Sequence, residues 1–394
     1  MIRYLTAGES HGEALIGIVE GMPAGIPVTR AIINEHLGRR WLGFGRGGRA
    51  KFERDQIHVY SGLRFGLTMG SPIAMRLDNE AYTKDRSGWP DVMALEGTGE
   101  EIDKVTLPRP GHADLVGTQK YGFDDIRPVI ERSSARETAM RVACCSVARA
   151  FLSALGIEVG SHVIRIGAVG FDHSREWSGL TGKLITQGAS ALYQAADESE
   201  TRMLSPEMTA KCIEHIKETK KAGDSLGGAY EVIVTGAPVG LGSYVHWDRR
   251  LDGQLAQAIM SIQAQKAVEV GDGIAAATEP GSHIHDPITG DAEGYGRTQN
   301  RAGGIEGGMS NGQPIVVRGY MKPIPTLIKP LATVDIASGE AQPTRYERSD
   351  VTSVPAASTV AESTVALTIA NAVLVKFGGD SLAEIKERVD AARA

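Results

Sequence analysis

The sequence predicts a layered mixture of helices and sheets, α/β or α+β, folded as one body. Three observations lead there. Short runs with strand periodicity and longer runs with helix periodicity are interleaved along all 394 residues. No low-complexity linker divides them. Apolar residues make up 42% and charged residues 23%, ordinary globular usage that excludes a disordered or fibrous chain.

In chain order, Leu15, Gly17 and Val19 alternate as one face of a strand. Val163-Ile164-Arg165-Ile166, Tyr230-Glu231-Val232-Ile233-Val234 and Ile315-Val316-Val317-Arg318 read as further strands. The clearest helix is expected over 134–155. Ser134 and Glu137 have capping-box spacing, Met140, Cys144, Val147, Phe151 and Leu155 recur at helical spacing, and Gly156 can end it. Further helices are expected over 251–268 and 356–376, the second stopped by Gly378-Gly379, and another begins at Ser381 with Glu384. Residues 78–106 are polar and charged and read as a long surface excursion, a candidate lid.

Composition also removes several functions. The net charge of -6 argues against a general nucleic-acid binder, which needs a large phosphate-neutralising surface, and 7 Phe with 4 Trp leave few stacking platforms. No apolar run is expected to reach the roughly 18 residues of a bilayer span, and Met1-Ile2-Arg3-Tyr4 lacks a signal-peptide profile, so a cytoplasmic protein off the membrane is expected. Cys144, Cys145 and Cys212 form neither a disulfide framework nor a Cys-x-x-Cys site and are expected in the core. Glycine is the outlier, with 48 residues in clusters, which points to backbone lying close to a ligand.

Cations gather at Arg39, Arg40, Arg46, Arg49, Lys51 and Arg54 around Gly43-Phe44-Gly45-Arg46-Gly47-Gly48, a composition that suits phosphate because guanidinium forks and bare backbone N–H groups both bind it. The G-x-G-x-x-G spacing inside this segment follows a helix-like stretch rather than a strand, which excludes a dinucleotide fold. Met309 stands where a P-loop needs lysine. His11 in Gly8-Glu9-Ser10-His11-Gly12 and His112 in Pro110-Gly111-His112-Ala113-Asp114 occupy glycine-framed loops, where a group titrating near neutrality can pass a proton to a leaving group. His283-Ile284-His285-Asp286 has no third ligand and reads as a polar loop, and no nucleophile elbow is present. Arg132-Ser133-Ser134-Ala135-Arg136 places hydroxyls and guanidiniums at a helix start, a natural anion site. Lys322-Pro323-Ile324-Pro325-Thr326 and Arg345-Tyr346-Glu347-Arg348-Ser349-Asp350 add cations and one carboxylate, expected to stay ionised among them until a ligand changes its surroundings.

Gly-Glu-Ser-His-Gly at 8–12, Arg-Pro-Gly-His-Ala-Asp at 109–114, Arg-Ser-Ser-Ala-Arg-Glu-Thr at 132–138 and the glycine run at 303–312 occur in an order that resembles the chorismate synthase family across nearly the whole chain. The resemblance implies an α+β fold, a layered β-α-β sandwich with helices between antiparallel sheets, in a single domain that assembles as a homotetramer. It implies loss of phosphate from 5-enolpyruvylshikimate 3-phosphate by a 1,4-elimination that requires reduced FMN. By the same likeness His11, assisted by Ser10, protonates the phosphate, His112 protonates or stabilises the flavin, and Asp350 takes a proton near flavin N5. Arg40, Arg46, Arg49, Arg109, Ser134 and Arg136 would hold the substrate. Arg132, Ser133, Ser134, Gln263, Ala264, Gly308, Lys322, Pro323, Ile324, Pro325, Thr326 and Arg348 would hold FMN, and Arg40 and Arg46 match an NADP site used if NADPH reduces the flavin. The competing readings are an FMN electron carrier without elimination activity and a module binding RNA or polyphosphate through its basic loop.

Overall fold

The computed structural model describes residues 1–47, 55–84, 88–171, 178–291, 294–345 and 350–393. Arg49, Lys51, Arg54 and Arg348 lie outside them. The fold is mixed α+β with antiparallel sheets. Of the two larger sheets, one runs Arg3–Ala7, Ala14–Glu20, Ile73–Asp78, Ile57–Val59 in spatial order, and the other runs Gln265–Val270, Ile315–Met321, Gly228–Thr235, Glu158–Ile166, Val169–Gly170. All their pairings are antiparallel.

Each expected strand is present, and the alternation read at Leu15, Gly17 and Val19 is the inward face of Ala14–Glu20, with Ile16 and Ile18 facing out. Helix Glu137–Ala154 packs on this sheet. It lies so close that a Cβ on Gly17 would come within 2.6 Å of Cys144 Sγ and Met140 Sδ, so any side chain there would push helix and sheet apart. Helix Val354–Phe377 packs on Glu158–Ile166 and Gly228–Thr235, and the two helices pack on each other. Phe151, Val232, Val360, Val365 and Ile369 meet in the main core, each contributing about 1.5–3 kcal/mol on leaving water. The three cysteines are buried and unpaired, as expected.

Three sequence expectations change. The capping box does not form. Ser134 instead ends helix Arg127–Ser133 in extended conformation and donates to Ser10 Oγ at 3.1 Å, while Glu137 accepts from Thr6 Oγ1 and Gln263 Nε2 at 3.0 and 3.3 Å. Both partners of the box are spent on tertiary contacts. The helix expected over 251–268 stops at Met260, and Gln265–Val270 is a strand. Helical spacing at Leu251, Leu255 and Ile259 loses to pairing with Ile315–Met321 once Ala264 turns into the left-handed region at φ 65°. Helix Val354–Phe377 is long and apolar enough by composition to cross a membrane. It is nevertheless mostly buried, and Glu362 at its middle is fully enclosed.

Glu362 explains itself by its partners. It accepts from Arg39 Nη2 at 2.8 Å, Arg202 Nη2 at 3.2 Å and Ser161 Oγ at 2.6 Å, with Arg149 also paired to it. Burial works against its charge, but the guanidiniums of Arg39 and Arg149 outweigh that and hold the carboxyl well below its ordinary range.

Candidate active site

His11 sits in the turn between Arg3–Ala7 and Ala14–Glu20. Asn79, fully buried, ties the turn down by donating to the carbonyls of Glu9 and Gly12 at 3.1 and 2.7 Å. Glu131, from helix Arg127–Ser133, does more. Its carboxylate accepts the His11 backbone N–H at 2.7 Å and lies 3.1 and 3.2 Å from Nδ1, and its carbonyl accepts from Ser10 N at 3.2 Å. Burial opposes ionisation of Glu131, yet the bond from His11 and the charges of His11 and Arg127 hold it below the usual carboxylate range. The Trp89 indole stacks on the imidazole with ring centroids 3.9 Å apart. Trp89, within the 78–106 excursion, therefore reaches the site.

His112 lines the same cavity as His11, from the loop before helix Asp114–Tyr121. Its Nδ1 meets Asp114, which also takes Arg109 Nε at 2.8 Å and the Arg109 backbone N–H at 3.0 Å. Asp114 is buried, which pushes its pKa up, but the bonds from His112 and Arg109 prevail and hold it well below the ordinary range. Arg109 Nη1 reaches Thr326 Oγ1 at 3.0 Å and Lys322 Nζ bonds the Gly111 carbonyl. These contacts knit the 109–114 and 322–326 segments into one wall.

The floor is the start of helix Glu137–Ala154. Arg136 Nη1 pairs with Asp55 at 2.6 Å and Nε with Asn79 Oδ1 at 2.9 Å. Arg40 lies 3.6 Å from the same Asp55 and donates from Nε to Thr138 Oγ1 at 3.1 Å. Both guanidiniums are thus held in place before any ligand arrives. Asp350 closes the floor, taking the Gly47 N–H at 2.5 Å, Arg46 Nη1 at 2.9 Å and Ser353 Oγ at 3.0 Å.

These walls enclose a cavity of about 950 Å³ lined by His11, His112, Arg109, Ser133, Lys322 and Asp350 among others. It continues past His11, Ser134, Gln263 and Asp350 into a smaller lobe of about 400 Å³ that carries Ser10, Arg40, Arg46 and Arg136. Ala264, Ile324, Pro325 and Thr326 line the larger space. Pro323 lines neither. Arg132 turns away, donating to the carbonyls of Gly8 and Thr6 at 3.0 and 2.7 Å. Gly308 lies apart, where its carbonyl accepts from Leu251 N at 2.8 Å.

Four buried polar atoms along this cavity have no hydrogen-bond partner among the described residues: Trp41 Nε1, Arg46 Nε, Ser133 Oγ and Gln263 Oε1. Unsatisfied buried groups are costly, about 1–3 kcal/mol each, so their clustering marks where a polar, anionic ligand fits. Sequence reading missed Glu131, Asp55, Asn79 and Trp89. Their chemistry is ordinary, and nothing local signals that a carboxylate at 131 closes on a turn 120 residues away.

The family model of chorismate synthase matches residues 2–374. The chain belongs to the chorismate synthase family. It is 67% identical over 400 residues to the chorismate synthase of Salinibacter ruber, across 100% of this chain and 99% of that one. It is 55% identical over 396 residues to that of Chlorobaculum tepidum, across 100% and 98%. A solved structure titled "Crystal Structure of Chorismate Synthase" superposes with a TM-score of 0.78 at 39% identity, covering 99% of this chain and 96% of that one. As a chorismate synthase family member the chain is an enzyme, a lyase, and the electron-carrier reading loses its ground. His283 and His285, exposed at the short helix Gly281–Ile284, line neither lobe of this cavity, and no group of potential metal ligands occurs among the described residues.

Proposed function

We propose that the chain converts 5-enolpyruvylshikimate 3-phosphate to chorismate by an anti-1,4-elimination of phosphate that depends on reduced FMN, within aromatic amino acid biosynthesis. The observation that carries this reading is that His11 and His112, each backed by a buried carboxylate, line one cavity, and that the guanidiniums of Arg40, Arg46 and Arg136 line the smaller lobe, which His11 also lines. A substrate with a phosphate and two carboxylates meets Arg40, Arg46, Arg109 and Arg136, with Ser134 beside them, and the family pattern adds Arg49.

His11 donates a proton to the departing phosphate, and Ser10, bonded to Ser134, steadies that turn. Asp350 takes a proton near flavin N5; Arg46 and Ser353 hold its Oδ2, and the Gly47 N–H holds its Oδ1. Reduced FMN, when bound, supplies a transient electron. Ser133 Oγ and Gln263 Oε1, buried without partners among the described residues, support its placement against Ala264, Lys322 and 324–326, and His112, lining the same cavity, would hold a proton for it. Arg132, Gly308, Pro323 and Arg348 enter by family likeness alone. NADPH at Arg40 and Arg46 is the reductant in the version that reduces its own flavin.

The same likeness supports a single domain built as a β-α-β sandwich, a homotetramer and a cytoplasmic location. The test is anaerobic phosphate release from 5-enolpyruvylshikimate 3-phosphate with reduced or oxidised FMN. Release with the reduced flavin alone is expected, and release in neither would return the chain to a flavin-binding protein without this activity.

A further inference from the structure

Residues outside the assigned set surround His11 in a closed circuit. Glu131 holds its backbone N–H at 2.7 Å and lies 3.1 Å from Nδ1. Trp89 stacks on the imidazole at 3.9 Å with an interplanar angle of 22°. The Arg127 guanidinium carbon lies 5.3 Å from the Trp89 centroid, and Arg127 Nη1 reaches Glu131 Oε1 at 3.3 Å. Glu131 has a fully buried side chain, so its charge is little screened by solvent.

We propose that Glu131 and Trp89 are positioning residues for the elimination, fixing His11 so that Nε2 is the nitrogen presented to the leaving phosphate. The inference rests on His11 as the proton donor. A carboxylate at Nδ1 holds the proton there and sets the ring's tautomer and orientation, as in other carboxylate-backed imidazoles. The imidazolium gives its Nε2 proton to the phosphate oxygen, the N–H electron pair stays on Nε2, and the Nδ1 proton remains on the Glu131 bond. Trp89 limits rotation and keeps water off one ring face, which gives part of the 78–106 excursion a catalytic purpose.

The test compares Glu131→Gln, Trp89→Ala, Trp89→Phe and His11→Ala with the parent chain, anaerobically with pre-reduced FMN, by steady-state phosphate release. Glu131→Gln keeps the size and an acceptor for the His11 N–H but removes the charge. It is expected to lower kcat by about 10- to 100-fold with KM changed by less than about 3-fold. Trp89→Ala is expected to lose about 3- to 10-fold in kcat, and Trp89→Phe to recover most of it by restoring an aromatic face. Unchanged kcat in Glu131→Gln and Trp89→Ala, with His11→Ala impaired, would overturn the inference and leave the reaction assignment standing. Full turnover in His11→Ala would instead bring down the donor role itself. If Glu131→Gln does not fold by circular dichroism, the Trp89 pair decides: equal kcat in Trp89→Ala and the parent chain rejects the positioning role.

Discussion

His11 and His112 share one device: each has Nδ1 against a buried carboxylate, Glu131 or Asp114, which leaves the other ring nitrogen for chemistry. Replacing either histidine by alanine is expected to lower anaerobic turnover with pre-reduced FMN by about 100- to 10,000-fold, the usual worth of a positioned acid or base. Asp114→Asn is expected to cost about 10- to 100-fold in kcat, because it removes a charge from His112 and from Arg109 together. At this scale the sequence exposed the actors and concealed their supports. His11, His112 and Asp350 stand in glycine-framed or cationic segments that chemistry makes conspicuous. Glu131, Asp55 and Asn79 act through contacts that only the folded chain creates, from Arg136 to Asp55 at 2.6 Å and from Asn79 to the 8–12 turn.

Elements show where periodicity suffices. Helix Val354–Phe377 was legible because apolar residues fill it and Gly378 ends it, and Ser381 caps the last helix by accepting from Glu384 N at 3.4 Å. Residues 251–268 misled because helical spacing continues past Met260 while the partner that makes 265–270 a strand lies at 315–321, beyond any local window. The ion cluster inside the core yields two predictions. Glu362→Gln is expected to destabilise by about 3–5 kcal/mol in chemical denaturation, since Arg39, Arg149 and Arg202 would lose their shared buried partner. His36, buried beside them, is pushed down by burial to about 2, with Arg149 and Arg39 adding to the effect. The unfolded chain binds its proton near pH 6.5 and the folded chain does not, so this stability is complete above that pH and falls as pH drops toward 2. The denaturation midpoint should fall from pH 7.5 to about pH 5.5, and His36→Leu should fall less over the same interval.

For the whole molecule, the cavity forms because segments from the first sheet, the 109–114 loop, the start of helix Glu137–Ala154 and the 322–326 segment converge after long separations in sequence. The motifs could be recognised as a set, but the distances between them depend on how helices Glu137–Ala154 and Val354–Phe377 pack on the strands and on each other. The activity proposed for this convergence is a flavin-dependent elimination. Its most direct test is phosphate release from 5-enolpyruvylshikimate 3-phosphate under anaerobic conditions, with reduced FMN in one cell and oxidised FMN in another. Stoichiometric phosphate and chorismate are expected in the reduced cell alone; release that is equal in both cells, or absent from both, would contradict a flavin-dependent elimination.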